Sequence, residues 1–110
     1  MFRRVEFLGN SLECLRAFPD SARRVAGFQL DRVQQGLEPN DWKPMASIGP
    51  GVQEVRIRVS EGAFRVIYLA RFQGIAFVIH CFQKKTQKTS GPDIDLVKVR
   101  YKELRRRFHE

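Results

Sequence analysis

The sequence has little of what a disulfide framework, a zinc site or a membrane span requires. Its two cysteines, Cys14 and Cys81, stand far apart with no metal-like spacing, so both are expected to be reduced, mostly buried thiols. The longest apolar run, Ile75 to Phe82, is interrupted by His80 and is far shorter than the roughly 20 residues that cross a bilayer. The basic start Arg3-Arg4 is followed by Glu6 and Asn10 rather than by the apolar block of a secretory signal, so a cytoplasmic location is expected. Gly49-Pro50-Gly51 lacks the lysine and the following helix of a phosphate-binding loop, and no Ser, His, Asp order points to acyl transfer. The carboxylates are too scattered for a two-metal nuclease. Metal and cofactor are therefore both expected to be absent from whatever chemistry the chain performs, and no internal repeat or linker divides it.

What the chain does have is positive charge. Twenty Lys and Arg against 12 Asp and Glu give +8, which favours a polyanionic partner, nucleic acid first. With 110 residues, 43% of them apolar, there is material for one modest core, so residues 1–110 are read as a single domain.

The patterning changes along the chain. Arg3 to Leu8 reads as a strand, and Ser11 is placed to cap a short helix carrying Leu12, Leu15 and Phe18, which Pro19 stops. Asp20 or Ser21 then caps a longer helix, with Ala22, Ala26, Leu30, Val33 and Leu37 at steps of three and four and with Val25 and Phe28 widening the apolar side. Three prolines and three glycines between Gly36 and Gly51 predict an irregular loop, pinned to the core by Trp42, Met45 and Ile48.

From Val52 the period becomes two. Val55, Ile57 and Val59 alternate with Glu54, Arg56 and Arg58, the pattern of a strand with one buried and one wet face. Turns at Ser60-Glu61-Gly62 and Gln73-Gly74 lead into strands Ala63 to Phe72 and Ile75 to Phe82, the last apolar on both faces and so internal to the sheet. A basic loop, Gln83 to Pro92, precedes a terminal helix capped by Asp93, with Ile94, Val97, Tyr101, Leu104 and Phe108 in its stripe. Strand, helix, helix, three strands and helix make an α+β domain: a helical hairpin on a small antiparallel sheet, with a C-terminal helix.

The candidate site is electrostatic. Arg56, Arg58, Arg65 and Arg71 lie on neighbouring strands, and Lys84, Lys85 and Lys88 follow the last one. Converged on one face, they hold a ribose-phosphate backbone by charge-assisted hydrogen bonds. Strand register decides whether they converge. Metal-free RNA cleavage needs a base for the 2′-hydroxyl and cations for the pentacoordinate phosphate, and a lysine crowded by cations, Lys84 or Lys85, can transfer protons. His80 is either a general base or a hydrogen-bonded core histidine, and its apolar strand favours the second. Tyr68 and Phe82 are candidates for stacking on bases, His109 belongs to a solvated tail, and Arg105-Arg106-Arg107 is either a solvated helix end or a dock for an acidic segment.

Three stretches carry a family resemblance: Glu54-Val55-Arg56-Ile57-Arg58; Phe64-Arg65-Val66-Ile67-Tyr68 after the Gly62 turn; and His80-Cys81-Phe82-Gln83-Lys84-Lys85-Thr86-Gln87-Lys88-Thr89. Together with Pro39 to Met45 and Asp93 to Leu96 they resemble the phage-derived, Gp49-like or HigB-like branch of the RelE/ParE toxins. The resemblance implies a type II toxin whose substrate is mRNA on the ribosome and whose partner is a cognate helix-turn-helix antitoxin, held in a hetero-oligomer. It further implies that Arg56 and Arg58 line the RNA cleft, that Arg65 binds the scissile phosphate and that Lys84 and Lys85 stabilise the leaving group. One departure stands out: RelE has a catalytic tyrosine shortly after the basic pair, whereas Thr86 to Pro92 contains none. Two other readings share the basic surface, a ParE-like DNA gyrase inhibitor that cleaves nothing and a nucleic-acid-binding module without toxicity.

Overall fold

The computed structural model describes residues 3–72 and 74–108, and their side chains except at 71 and 72. Strand β1 (Arg4–Phe7) is followed by helices α1 (Ser11–Arg16) and α2 (Asp20–Gln34), strands β2 (Trp42–Pro44), β3 (Val52–Val59), β4 (Gly62–Phe72) and β5 (Ile75–Lys84), and helix α3 (Gly91–Phe108). The five strands form one sheet in the order β1-β5-β4-β3-β2. The β2 to β5 ladders are antiparallel, whereas β1 runs parallel to β5 along Ile75 to Val78. The α+β architecture is as expected, with two corrections: the sheet is mixed at one edge, and the proline-rich stretch contributes the edge strand β2.

One face of the sheet is closed by the helical hairpin. Leu15 and Phe18 from the first helix and its turn, with Ala22, Ala26, Leu30 and Val33 from α2, pack on Val55, Ile57, Phe64, Val66, Tyr68, Ala76, Val78 and Cys81. Two residues assigned to the buried side of α2 are exposed. Phe28 sits two residues, about 200° around the helix, from fully buried Ala26. Leu37 lies beyond the end of α2 at Gln34.

The opposite face is closed only in part, by α3. Val97 and Leu104 are its fully buried apolar anchors, set against Val52, Ile67, Leu69, Phe77, Ile79 and Phe82, while Tyr101 and Phe108 are partly buried at the margin. Two buried side chains contribute only about 1.5–3 kcal/mol each, so polar clamps share the task of placing the helix. The Arg100 Nη1 donates to the Ile79 carbonyl at 2.8 Å, and Arg107 pairs with Glu6 at 3.2 Å. Gly49 lies against the end of the Tyr101 ring, where a Cβ would come within 2.4 Å of it; any larger residue there must displace the Tyr101 side chain.

Helix starts differ from the expected caps. Ser11 is buried and its hydroxyl donates to the Val78 carbonyl at 3.2 Å, tying α1 to the sheet instead of capping it. Neither Asp20 nor Ser21 caps α2, which begins after Pro19. At α3 the cap is Ser90 rather than Asp93: its hydroxyl accepts the Asp93 N–H at 3.2 Å and donates to the Asp93 carboxylate at 2.7 Å.

Candidate nucleic-acid interface

Register places the site. Along β3 and β4, Glu54 faces Ile67, Arg56 faces Arg65 and Arg58 faces Ala63, so the charged residues of β3 share the α3 side of the sheet with Arg65. Between β4 and β5 the pairing slips: Ile67 opposes His80 while Tyr68 opposes Val78, leaving Ile79 as an extra residue. This bulge reverses the alternation of β5. Phe77 and Ile79 point to the α3 side before it, and after it Phe82 does, while Val78 and Cys81 belong to the hairpin side. Lys84, opposite Ala63, is thereby brought to the same side as Arg65 and Arg58.

The result is an open groove of about 580 Å³ beyond the cover of α3, lined by Arg58, Ala63, Arg65, Lys84, Lys85, Thr86 and Gln87. Four of those seven side chains are cations, and none is a carboxylate, imidazole or phenol. Arg58 and Lys85 are exposed on its walls, whereas Arg65 is 3% exposed and forms the floor. Burial lowers the Arg65 guanidinium's pKa, with the charges of Arg56 and Arg58 adding to the effect and Glu54 opposing it. The Lys84 ammonium is likewise lowered, first by desolvation and then by Arg65. In physical terms this is a patch of like charge that lacks a full complement of counter-ions.

Not every expected site residue reaches the groove. Arg56 is half-buried beside it, its Nε enclosed without a hydrogen-bond partner. Lys88 lines a smaller adjoining cavity of about 150 Å³ with Phe82, Lys84, Lys85, Ser90 and Asp93. Phe82 is 9% exposed and stacks on the His80 ring at 5.1 Å between centroids, so one of its faces is already occupied. Tyr68 is on the hairpin side, 1% exposed, with its hydroxyl bonded to Gln53; burial raises its pKa, and no base can stack on it. The Arg71 side chain and His109 lie outside the described residues.

His80 takes the core role of the two open to it. It is 6% exposed, and its Nε2 lies 2.7 Å from the Asp93 carboxylate, which joins β5 to the start of α3. The residue that sequence reasoning missed is Glu54. Its alternation with Val55 assigned it to a wet face, yet it is 2% exposed and 3.6 Å from the Arg65 Nε. An acid two and four residues before two arginines, on the same face of one strand, was the available signal.

The family model of the phage-derived proteins described as Gp49-like (DUF891) matches residues 13–102, a span that contains most of α1, all of α2, every groove residue and most of α3. The chain belongs to the Gp49-like family. Among solved structures, an arginine double mutant of the E. coli toxin RelE in the free state is similar, with a TM-score of 0.61 over 86% of this chain and 97% of that one, at 18% identity. The Gp49-like chain thus has the RelE fold. No curated protein matches its sequence. Among the described residues no group of three or more His, Cys, Asp or Glu is placed to hold a metal ion, and no helix is long and apolar enough to cross a membrane.

Proposed function

We propose that this Gp49-like protein is the toxin of a type II toxin–antitoxin pair, a cytoplasmic endoribonuclease that cuts mRNA on the ribosome without a metal ion. The observation that carries the reading is the groove itself: Arg58, Arg65, Lys84 and Lys85 converge on one open cavity with no acidic side chain in its lining. Such a surface binds phosphate and, kept clear of bulk counter-charge, stabilises the extra negative charge of a pentacoordinate phosphorane. The RelE fold and the Gp49-like family support the same class.

In this reading the 2′-oxygen attacks the neighbouring phosphorus, the bond to the 5′-oxygen breaks, and the products are a 2′,3′-cyclic phosphate and a 5′-hydroxyl. Arg65 and Arg58 hold the nonbridging oxygens. Lys84, whose pKa is lowered by burial and by Arg65, supplies free amine at a lower pH than an ordinary lysine and takes the 2′-hydroxyl proton. Lys85, as the ammonium, protonates the leaving 5′-oxygen. These roles need no tyrosine after the basic pair. Between killing events an acidic segment of a helix-turn-helix antitoxin neutralises the +8 chain.

The test is expression of the chain without its antitoxin, followed by mapping of transcript ends and by translation of a defined mRNA with purified ribosomes. New 5′-hydroxyl ends within coding sequence are expected, at a rate that rises with pH until the Lys84 amine is fully formed. Lys84→Met should abolish that pH dependence. Intact transcripts accompanied by DNA breaks would instead identify a gyrase inhibitor.

A further inference from the structure

We propose that Glu54 is a positioning residue of the groove, a buried counter-ion that holds the Arg65 guanidinium at a fixed angle so that one edge faces the phosphate; this rests on the nuclease reading only for its kinetic consequence. Glu54 and Arg65 are 2% and 3% exposed, and the Glu54 Oε2 lies 3.6 Å from the Arg65 Nε. The Arg65 Nη1 donates to the Phe64 carbonyl at 3.0 Å. With Nη1 fixed on the backbone and the buried Nε at ion-pair rather than hydrogen-bond distance from the carboxylate, Nη2 is left as the nitrogen that can meet a ligand in the groove that Arg65 floors.

The surroundings make the carboxylate necessary. Arg56 and Arg65 are direct cross-strand partners, and like charges so placed repel. Both have a buried Nε with no hydrogen-bond partner. Lys43 is the cross-strand partner of Glu54 on β2, and Lys84 feels the charges of Arg65, Arg56, Lys43 and Glu54 together. Arg58 adds to the repulsion on Arg65, and the exposed Asp41 acts on it only as the smallest of these charges, so Glu54 is the buried carboxylate that serves this cluster of cations. It is enough to seat Arg65 and too little to neutralise the groove, which stays attractive to a phosphate. Being 2% exposed, Glu54 does not itself meet substrate; it acts through Arg65.

A positioning role separates rate from affinity. Glu54→Gln keeps the shape and deletes the charge. The groove gains net positive charge, so affinity for a non-cleavable RNA, with 2′-deoxy at the scissile nucleotide, should be unchanged or tighter. Single-turnover cleavage should fall on the order of 100-fold, the cost of a misplaced reacting group. Glu54→Asp, charged but shorter, should recover part of the rate. In nitrogen-edited NMR spectra the Arg65 Nε–H should be protected from solvent exchange in the natural chain and in Glu54→Asp, and should lose that protection in Glu54→Gln.

A Glu54→Gln protein that cleaves at the natural rate, or that loses RNA affinity in proportion to rate, overturns the assignment. So does rapid exchange of the Arg65 Nε–H in the natural chain, a measurement that stands even if Glu54→Gln does not fold. Should the natural chain cleave no RNA, the nuclease reading fails by itself; the exchange experiment then still decides whether Glu54 seats Arg65.

Discussion

The two faces of the sheet are built from the same three long strands and obey different rules. On the hairpin side most positions are apolar, Tyr68 has its hydroxyl satisfied by Gln53, and α1 and α2 cover the core formed by Val55, Ile57, Phe64, Val66, Val78 and Cys81. On the other side α3 covers only the part around Val52, Ile67, Leu69, Phe77 and Ile79, and beyond it the strand positions turn to Arg56, Arg58, Arg65 and Lys84. The contrast teaches that the groove is the part of a core that was left without its lid. Cations collect there because the neighbouring backbone is rigid, which fixes their spacing at no cost when a ligand arrives.

That contrast can be tested from both sides. The largest effect is expected at the open face: Arg58→Ala combined with Lys85→Ala should lower RNA cleavage on the order of 1,000-fold, while the unfolding free energy stays within about 0.5 kcal/mol. Parallel denaturant titration and end-mapping would check this, and an equal loss of stability would mean that the exposed cations are structural. On the covered face the signs reverse. Ile57→Ala, one residue from Arg58 but 1% exposed on the hairpin side, should cost about 3 kcal/mol through lost burial and the cavity left behind, with cleavage per folded molecule intact.

Smaller effects sharpen the boundary between the faces. Tyr68→Phe removes the bond to Gln53 and should destabilise by about 1 kcal/mol without altering RNA affinity; a weakened affinity would mean that the Tyr68 hydroxyl serves RNA binding and not only the fold. Least of all should pH and thiol reagents disturb the covered side. Burial pushes the Cys81 thiol up to about 12, so a thiol reagent at pH 8 should modify the half-buried Cys14 and leave Cys81 untouched. Because the folded-state pKa is the higher one, Cys81 keeps its proton in the fold after the unfolded chain has lost it. Stability should therefore decline slightly as pH rises past the ordinary thiol value. Alkaline unfolding of Cys81→Ala beside the natural chain would show it.

Much of this was legible from residue order. The period of two in Val55, Ile57 and Val59, the steps of three and four in Ala22, Ala26, Leu30 and Val33, and the turn residues at Gly62 fixed strand, helix and hairpin, because each depends on neighbours a few positions away. Phe28 and Leu37 escaped because an apolar residue near an apolar stripe looks the same whether it falls inside or beside it. Strand β2 escaped because its three residues pair with Gln53, Glu54 and Val55, a partner no local pattern reveals. Charge and order singled out Arg58, Arg65, Lys84 and Lys85, which the structure brings to one groove, whereas the burial of Tyr68 and Glu54 escaped because alternation gives the side of a strand but not what covers it.

By itself, then, the amino-acid order determined the elements, the excess of positive charge and the candidate cations, all properties of short stretches or of simple sums. Only the tertiary structure decided that four of those cations meet. The extra residue Ile79 reverses the alternation of β5 and turns Lys84 toward Arg65, and the limited reach of α3 leaves the place where they meet open to water. Both facts arise from pairing between distant segments, which a one-dimensional pattern does not contain.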